Sequence, residues 1–252
     1  MIRFEQVSKK YSERTYALQG VDLHIEKGEF FVLIGPSGSG KTTMLKMVNR
    51  LIEPTSGEIF LNNKSIRDYN IHELRCNIGY VLQSIALFPH MTIEKNISIV
   101  PELRGWSAKA IHIRVNELLE MVGLDPLTYR NRRPAELSGG QQQRVGVVRA
   151  LAANPDIVLM DEPFSALDPI SRDQLQQDLV VLKKTISKTI LFVTHDIQEA
   201  VLLGDRICLM QAGNVVQVGS AKELIENPVT SFVKEFVGSN LDNGCREEGL
   251  NK

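Results

Sequence analysis

The stretch FFVLIGPSGSGKTTMLKMVNRL, from Phe30 to Leu51, decides the fold of this 252-residue chain. Its first five residues are apolar without interruption, which is typical of a strand buried on both faces of a sheet. A glycine-rich loop follows directly, and a helical pattern begins at about Lys41. A strand, a glycine-rich loop and a helix in this order predict a phosphate-binding loop in an α/β protein.

The loop GPSGSGKT, Gly35 to Thr42, fits the phosphate-binding pattern at every defined position. Glycines let successive backbone N–H groups point at phosphate oxygens, and the helix N-terminus adds a favourable dipole. We expect Lys41 to reach the β- and γ-phosphates and the Thr42 hydroxyl to coordinate Mg²⁺. The alternative is a Gly/Ser turn without a ligand. The expected nucleotide contacts are Gly35, Pro36, Ser37, Gly38, Ser39, Gly40, Lys41, Thr42 and Thr43.

Strands and helices alternate along the rest of the chain. Further strands are predicted at Ile2–Val7, Ala17–Ile25, Glu58–Leu61, Ile78–Leu82, Ile157–Met160 and Ile190–Val193, with a hairpin over Met210–Val218. Helices are predicted at Lys41–Leu51, Ala108–Val122 within a helical stretch Ile93–Asn131, Gln141–Ala153, Ser171–Lys184, Lys222–Glu226 and Ser231–Val237. This order predicts a mostly parallel core sheet, an N-terminal antiparallel β lobe and a helical lobe inserted at about residues 84–153. One domain should span residues 1–238, with a polar tail at 239–252.

The composition excludes several classes of protein. Lys and Arg number 29 against 30 Asp and Glu, so there is no basic field for nucleic acid. No apolar run approaches the roughly 20 residues of a membrane-spanning helix. Three scattered cysteines, Cys76, Cys208 and Cys245, indicate neither a disulfide framework nor a zinc site. A membrane role would therefore need a partner protein.

The segment IVLMDE, Ile157 to Glu162, is an apolar strand that ends in two carboxylates. Asp161 at the strand end suits Mg²⁺, directly or through water. Glu162 is then placed to polarise an attacking water as a general base. Two acids after a strand are otherwise an ordinary solvated turn. The phosphate-binding loop upstream is what favours the catalytic interpretation.

The segment LSGGQQQR, Leu137 to Arg144, leads into a predicted helix. Ser138 is a suitable N-cap, and Gly139 and Gly140 expose backbone N–H groups. The segment can thus bind an anion at a helix N-terminus. The alternative is a Ser-Gly-Gly capping loop with no ligand.

With this motif, the sequence from about Ile2 to Gly238 resembles the ATP-binding subunits of ABC transporters. The resemblance implies a P-loop NTPase fold of the ABC ATPase type that binds ATP and Mg²⁺ and hydrolyses ATP. It also implies a head-to-tail homodimer with two composite sites. In that dimer, the γ-phosphate of ATP bound to one subunit is contacted by the opposite subunit through Ser138, Gly139, Gly140 and Gln141.

The resemblance implies roles for residues that mean little alone. Tyr11 corresponds to the ring that stacks on adenine, with Tyr16 as the alternative. Gln83 corresponds to the glutamine at Mg²⁺ and the lytic water, and His195 to the histidine at the γ-phosphate. Asp168, in Ser165–Asp168, belongs to the loop that crosses the dimer seam. The implied catalytic residues are Glu162, His195 and Gln83, and the implied metal-binding residues are Thr42, Gln83 and Asp161.

Three longer stretches, Gln83–Leu103, Ser138–Arg172 and Val193–Met210, resemble the ATPase subunits of bacterial osmoprotectant importers, which take up glycine betaine, carnitine or choline. The resemblance implies integral membrane permease partners, an indirect substrate-binding protein, no nucleic acid, and a peripheral place on the cytoplasmic face of the membrane. Many of that group carry C-terminal CBS modules that sense ionic strength; this sequence stops soon after Gly238, so either this system lacks that sensor or the chain is truncated. The alternatives are another imported solute such as a polar amino acid or sulfonate, a non-transport ABC ATPase, and a nucleotide-binding module without hydrolysis.

Overall fold

A computed structural model describes residues 1–12 and 15–238; the tail predicted at 239–252 lies outside them. The strands are β1 (Ile2–Ser12), β2 (Thr15–Ile25), β3 (Phe30–Ile34), β4 (Ser56–Leu61), β5 (Lys64–Ser65), β6 (Ile78–Val81), β7 (Ile157–Asp161), β8 (Thr189–Val193), β9 (Arg206–Gln211) and β10 (Asn214–Gly219). The helices are α1 (Lys41–Val48), α2 (Ile71–Cys76), α3 (Ile93–Leu103), α4 (Ala108–Met121), α5 (Pro126–Tyr129), α6 (Gly139–Leu151), α7 (Pro169–Thr185), α8 (Ile197–Leu203) and α9 (Ala221–Glu226). Residues 231–238 are also helical, as predicted.

The chain divides into two compact units. The first unit contains Met1–Asn70 and the described residues from Thr189 onward, and the second unit is Ile71–Lys188. Across residues 1–12 and 15–238, no helix combines the length and the apolar character needed to cross a membrane.

The N-terminal sheet of the first unit is antiparallel, in the order β2-β1-β4-β5. Strand β1 continues to Ser12, five residues beyond its predicted end at Val7. The pairing of β1 with β2 shifts register after Phe4 and again after Val7, and Gln6 has a φ of 49°. Such bulges interrupt the alternation of apolar and polar residues, so the pattern in the sequence ends before the strand does.

The core strands of the first unit surround β3, whose five residues are all buried. β3 pairs in parallel with β8 on one side and β9 on the other, and β10 lies antiparallel to β9. The hairpin between β9 and β10 turns at Ala212 and Gly213, as predicted. Helix α1 ends at Val48 rather than at Leu51, because Arg50 adopts a left-handed φ of 47°. This parallel arrangement, with a separate antiparallel sheet, confirms the predicted α/β fold class.

The second unit pairs β6 and β7 in parallel, and helices α2 and α6 pack against β6. The single helical stretch predicted from Ile93 to Asn131 is three helices, because Gly105 and Gly123 take positive φ values of 73° and 67° and end α3 and α4. Helix α2 is six residues long and was not predicted.

Helix α6 is the central helix of the second unit, and it contacts β6, α3, α4 and α7. Two arginines bind the carbonyls at its C-terminal end. Arg114 donates to the carbonyls of Leu151 and Ala152 at 3.2 and 3.4 Å, and Arg104 donates to that of Ala153 at 2.7 Å. Cations at this end of a helix satisfy its last carbonyls and complement its dipole.

Candidate functional site

The glycine-rich loop of the first unit has a conformation that side chains would not tolerate. Gly35 and Gly40 have φ values of 144° and 103°. A Cβ at Gly35 would lie 2.2 Å from the carbonyl oxygen of Met210, and one at Gly40 would lie 2.3 Å from that of Ala17. The loop therefore needs glycine at both positions, for φ and for space.

Lys41 is buried at the first position of α1, and its ammonium group lies inside the loop. Its Nζ donates to the carbonyl oxygens of Gly35 and Pro36 at 2.7 and 3.0 Å, and to Ser39 Oγ at 3.4 Å. The cation is thus held at the point around which the loop wraps. The arrangement offers a fixed positive charge to an anion that enters the loop.

The rest of the loop is graded in exposure. Gly35 and Ser39 are buried, Gly40, Thr42 and Thr43 are half-buried, and Pro36, Ser37 and Gly38 are exposed. The Gly213 N–H donates to the Ser39 carbonyl at 3.2 Å, which ties the loop to the β9–β10 turn. The turn therefore fixes one side of the loop.

Two tyrosines of the N-terminal sheet are exposed, as a stacking platform requires. Tyr11 on β1 is 58% exposed and Tyr16 on β2 is 47% exposed. Each ring has a lysine ammonium near its face, Lys9 at 5.4 Å from Tyr11 and Lys10 at 5.3 Å from Tyr16. Either exposed ring could therefore stack on adenine. The assignment of this role to Tyr11 remains a prediction.

His195 is exposed directly after β8, at the carboxyl end of the parallel strands of the first unit. Buried groups fix the backbone around it. The Thr194 N–H donates to the Leu33 carbonyl at 3.1 Å, and the Thr194 hydroxyl donates to the buried carboxylate of Glu199. The Asp196 N–H donates to Thr194 Oγ1 at 3.0 Å. The imidazole is therefore presented from a turn between β8 and α8 that is hydrogen-bonded to β3 and to Glu199.

In the second unit, β7 ends at Asp161, a residue that is 3% exposed. Glu162 follows with a left-handed φ of 44°, an uncommon conformation for a residue with a side chain. Gln83, two residues after β6, donates its amide N–H to Glu162 Oε2 at 3.3 Å. The two side chains that the sequence assigned to the lytic water are thus in contact.

Tyr80 on β6 is a neighbour of Asp161 that the sequence did not single out. Burial raises the pKa of its phenol, and the negative charge of Asp161 raises that pKa further. Within residues 1–12 and 15–238, the buried phenol oxygen has no hydrogen-bond partner. The group stays neutral beside the carboxylate.

The segment from Leu137 to Arg144, called the signature segment below, forms a helix N-terminus that is capped by its own side chains. Ser138 Oγ accepts from the Gln141 N–H at 3.2 Å, and the Gln141 side chain accepts from the Ser138 N–H at 3.0 Å. Ser138 and Gly139 are exposed, while Gly140 is buried. A Cβ at Gly140 would lie 2.5 Å from Ser171 Oγ, whereas one at Gly139 would meet nothing within 4 Å. Gly140 is therefore required by packing inside this unit, and Gly139 is not.

The segment after Glu162 is a loop that caps the next helix. The Ser165 hydroxyl donates to the Glu162 carbonyl at 3.0 Å, and Asp168 Oδ1 accepts from the Ser171 N–H at 3.0 Å. Hydrogen bonds from Ser171 hold the pKa of Asp168 below its usual range. Asp168 is exposed, so it stays anionic at the N-terminus of α7.

The predicted residues thus fall into two groups, one in each unit, and among them Gln83 and Glu162 are in direct contact. The first unit holds Tyr11, the glycine-rich loop with Lys41 and Thr42, and His195. The second unit holds Gln83, Asp161, Glu162, the segment Ser138–Gln141 and Asp168. Sequence reasoning missed Arg149 on α6, which donates to the carbonyls of Ala86 and Ile85 at 2.8 and 3.5 Å. No local pattern could reveal a contact over more than sixty residues.

The chain matches a family model described as ABC transporter over residues 18–165, more than half of its length. It is 55% identical to the Bacillus subtilis glycine betaine/carnitine/choline transport ATP-binding protein OpuCA, over 94% of this chain and 62% of that protein. It is 48% identical to the Escherichia coli glycine betaine uptake system ATP-binding protein YehX, over 94% of this chain and 77% of that protein. The chain spans less than two thirds of OpuCA and similar curated relatives.

Solved structures agree with these matches. The ATP-binding cassette MJ0796, described as a dimeric post-hydrolysis state bound to ADP and Pi, is 38% identical with a TM-score of 0.77, over 88% of this chain and 99% of that one. CbiO1 from Clostridium perfringens, part of the ABC transporter complex cbiONQ, is 29% identical with a TM-score of 0.81, over 98% and 96% of the two chains. The chain therefore belongs to the ABC transporter family, among its ATP-binding proteins.

Proposed function

We propose that this chain binds and hydrolyses ATP as a head-to-tail dimer and thereby drives a membrane permease that imports a small solute. The observation that carries the proposal is the contact between Gln83 and Glu162 in a chain that also holds a formed phosphate-binding loop. A pure nucleotide-binding module needs the loop alone. The Gln83 amide contacts the Glu162 carboxylate, and the buried Asp161 precedes Glu162 in the chain. Such a group of side chains can orient a water molecule for attack.

Binding of the nucleotide is assigned to the first unit. Tyr11 stacks on adenine, and the backbone from Gly35 to Thr43 surrounds the phosphates. The Lys41 ammonium group already lies inside the loop, where it donates to the carbonyls of Gly35 and Pro36. When ATP binds, it exchanges these neutral acceptors for charged phosphate oxygens. His195 contacts the γ-phosphate from the turn after β8. Charge-assisted hydrogen bonds to phosphate are about twice as strong as neutral ones, which favours this exchange.

Magnesium fits the donor set of the predicted metal residues. Thr42 supplies a hydroxyl, Asp161 a carboxylate and Gln83 an amide oxygen, and oxygen donors are what Mg²⁺ prefers. Asp161 is almost fully buried at the end of β7. Bound Mg²⁺ would neutralise the developing charge on the phosphates.

Hydrolysis is assigned to Glu162 as general base and Gln83 as its orienting partner. The carboxylate accepts a proton from the attacking water, and the Gln83 amide fixes the carboxylate orientation through its N–H. Backbone strain at Glu162, of the order of 1–3 kcal/mol for such a conformation, is commonly retained at functional sites. A positioned general base contributes about 10²–10⁴-fold in rate.

The dimer is assigned to the signature segment and the loop with Asp168. Ser138, Gly139, Gly140 and Gln141 present a helix N-terminus to the γ-phosphate of ATP on the opposite subunit. The dimeric description of MJ0796 supports this arrangement. The two composite sites form at the same time, because the two-fold axis of the dimer repeats every contact.

The solute is assigned from the relatives. OpuCA, YehX and the Bacillus subtilis choline transport ATP-binding protein OpuBA are named for transport of glycine betaine, carnitine or choline. We assign a quaternary-amine osmoprotectant to this chain, delivered by a substrate-binding protein to permease subunits. The chain then lies on the cytoplasmic face of a bacterial membrane, with a helical lobe at about residues 84–153 facing the permease.

The test is transport by the reconstituted complex. Proteoliposomes that contain the permease and this chain should accumulate glycine betaine, carnitine or choline with internal ATP, and phosphate release should rise with uptake. The same vesicles with Glu162→Gln should do neither. Uptake of a polar amino acid or a sulfonate instead would change the assigned solute but not the assignment of ATP-driven import. If the wild-type chain released no phosphate, the proposal that it hydrolyses ATP would be rejected.

A further inference from the structure

The loop after β6 carries Gln83, and its geometry depends on a residue of helix α6. Ala86, three residues after Gln83, has a left-handed φ of 44° although it is not glycine. A side chain makes this conformation unfavourable, so it persists only where surrounding contacts enforce it. The contact that enforces it must lie near Ala86.

Arg149 makes that contact. Its Nη1 donates to the Ala86 carbonyl at 2.8 Å and its Nη2 donates to the Ile85 carbonyl at 3.5 Å. Arg149 is half-buried, and burial lowers the pKa of its guanidinium. Two carbonyls on one planar guanidinium fix both the distance and the direction of the loop, which a single donor could not do.

Helix α6 lies close to the loop and to the strand before it. A Cβ at Gly146 would lie 3.8 Å from the Ile85 carbonyl oxygen, and one at Gly79 on β6 would lie 2.4 Å from the Ala150 carbonyl oxygen. The small residues thus let strand, loop and helix approach one another. Because α6 is central to its unit, the loop is attached to a rigid element.

The same helix begins at the signature segment. Ser138 caps α6, and Arg149 lies eleven residues further on, about 16 Å along the axis. A displacement of α6 therefore moves its exposed N-terminus and the carbonyls bound by Arg149 together. The opposite end of the loop carries the Gln83 amide that contacts Glu162.

We propose that Arg149 is a positioning residue that holds the Gln83 loop to the signature helix, so that Gln83 contacts Glu162 only when α6 is in place. The inference rests on the proposed function, since it gives the Gln83–Glu162 contact a role in ATP hydrolysis. Arg149 itself touches neither nucleotide nor water in this account. It acts through the backbone of Ile85 and Ala86.

The first experiment is a double-mutant cycle on steady-state hydrolysis. Arg149→Met keeps the apolar stem and removes the donors, so kcat should fall about 5- to 30-fold, with equilibrium ATP affinity unchanged. In a Gln83→Ala background, Arg149→Met should lower kcat no further, because both changes remove one contact. Equal loss of kcat in the two backgrounds would overturn the proposal.

Arg114→Met is the matched control. Arg114 also donates to two carbonyls, those of Leu151 and Ala152 at the C-terminal end of α6, and neither belongs to the Gln83 loop. Its variant should lose thermal stability and keep the wild-type kcat per folded molecule. If it lowers kcat as much as Arg149→Met does, the loss reflects general loosening of α6, and the positioning role is wrong.

Hydrogen exchange gives a readout that does not need hydrolysis. In Arg149→Lys, the charge remains, but one ammonium cannot hold both carbonyls in a fixed direction. Amides of residues 84–88 should exchange about 5- to 30-fold faster than in the wild type, while those of α6 stay protected. If residues 84–88 of Arg149→Lys exchange at the wild-type rate, the proposal is rejected, even if Arg149→Met fails to fold. A wild-type chain without ATPase activity would reject the proposed function and leave this exchange test intact.

Discussion

Helices α1 and α6 both have glycines at their N-termini, Gly40 before α1 and Gly139 and Gly140 in the first turn of α6, yet the two N-termini are capped differently. In α1, the N-cap is Gly40 in a left-handed conformation, and within the described residues no side chain caps the first turn. In α6, the N-cap is Ser138, and Ser138 and Gln141 cap each other reciprocally. The first N-terminus is open toward an anion, whereas the second is stable without one.

The N-terminus of α1 also has a positive side chain close to it, whereas the first residues of α6 do not. Lys41 places an ammonium group inside the loop before α1, held by the carbonyls of Gly35 and Pro36. The exposed start of α6 presents a serine and glycines, and no lysine or arginine lies between Ser138 and Gln143. We infer that the α1 loop binds phosphate by itself, and that α6 adds to a phosphate already held by another chain.

The largest effect should come from removing the charge at α1. Lys41→Ala should weaken ATP binding about 100-fold or more, because charged hydrogen bonds to two phosphates are lost. Equilibrium binding measures this. Lys46→Ala, on the same helix outside the loop, should bind ATP normally. Near-normal ATP affinity in Lys41→Ala would mean that the loop before α1 does not bind phosphate by itself, contrary to the comparison with α6.

The base end of the nucleotide should show a smaller effect. Tyr11→Ala should weaken ATP and GTP alike by about 1–3 kcal/mol, since stacking is tolerant of base identity. Tyr16→Ala is the matched control, because that ring is similarly exposed and lies beside Lys10. If Tyr16→Ala weakens binding and Tyr11→Ala does not, the stacking ring is Tyr16.

The two glycines of the signature segment should separate packing from recognition. Gly140→Ala should lower the free energy of unfolding by about 1–2 kcal/mol, because its Cβ would overlap Ser171. Gly139→Ala has no such overlap and should keep its stability, yet it should weaken ATP-dependent association. Chemical denaturation and size-exclusion chromatography measure the two effects. Full association of Gly139→Ala would argue against a phosphate at this N-terminus.

The smallest effect should come from the cap itself. Ser138→Ala should cost about 1 kcal/mol of stability, the usual value for a lost N-cap, and it should leave ATP affinity of the monomer unchanged. A thermal unfolding series with and without ATP measures both. A large loss of monomer ATP affinity would mean that α6 takes part in binding within one chain.

Much of the fold could be predicted because its strands are buried and their boundaries are sharp. Phe30–Ile34 was predicted with its exact bounds, since a continuous apolar run ends there at a loop glycine. Strand β1 was predicted too short because its bulges break the alternating pattern. The breaks at Gly105 and Gly123 were visible in the sequence, but the apolar spacing on either side outweighed them.

The candidate site was predictable where its residues are consecutive and less so where they meet through space. The loop from Gly35 to Thr43 and the segment after Leu137 are local patterns. Gln83 and Glu162 are 79 positions apart, and only the family resemblance placed Gln83 at the water that Glu162 was expected to activate. The Arg149 contact had no signal in the sequence, because it joins single residues more than sixty positions apart.

The size of the Glu162→Gln variant in ATP tests the central claim, a composite site that closes on ATP, most directly. The substitution keeps the shape of the side chain and removes the basic carboxylate, so ATP should bind and remain unhydrolysed. Loss of a negative charge near the triphosphate should also favour the closed state. The variant should therefore elute as a dimer on size-exclusion chromatography in ATP, and adding Ser138→Arg should return it to a monomer. Hydrolysis by Glu162→Gln at the wild-type rate, or a monomer at saturating ATP, would contradict the account.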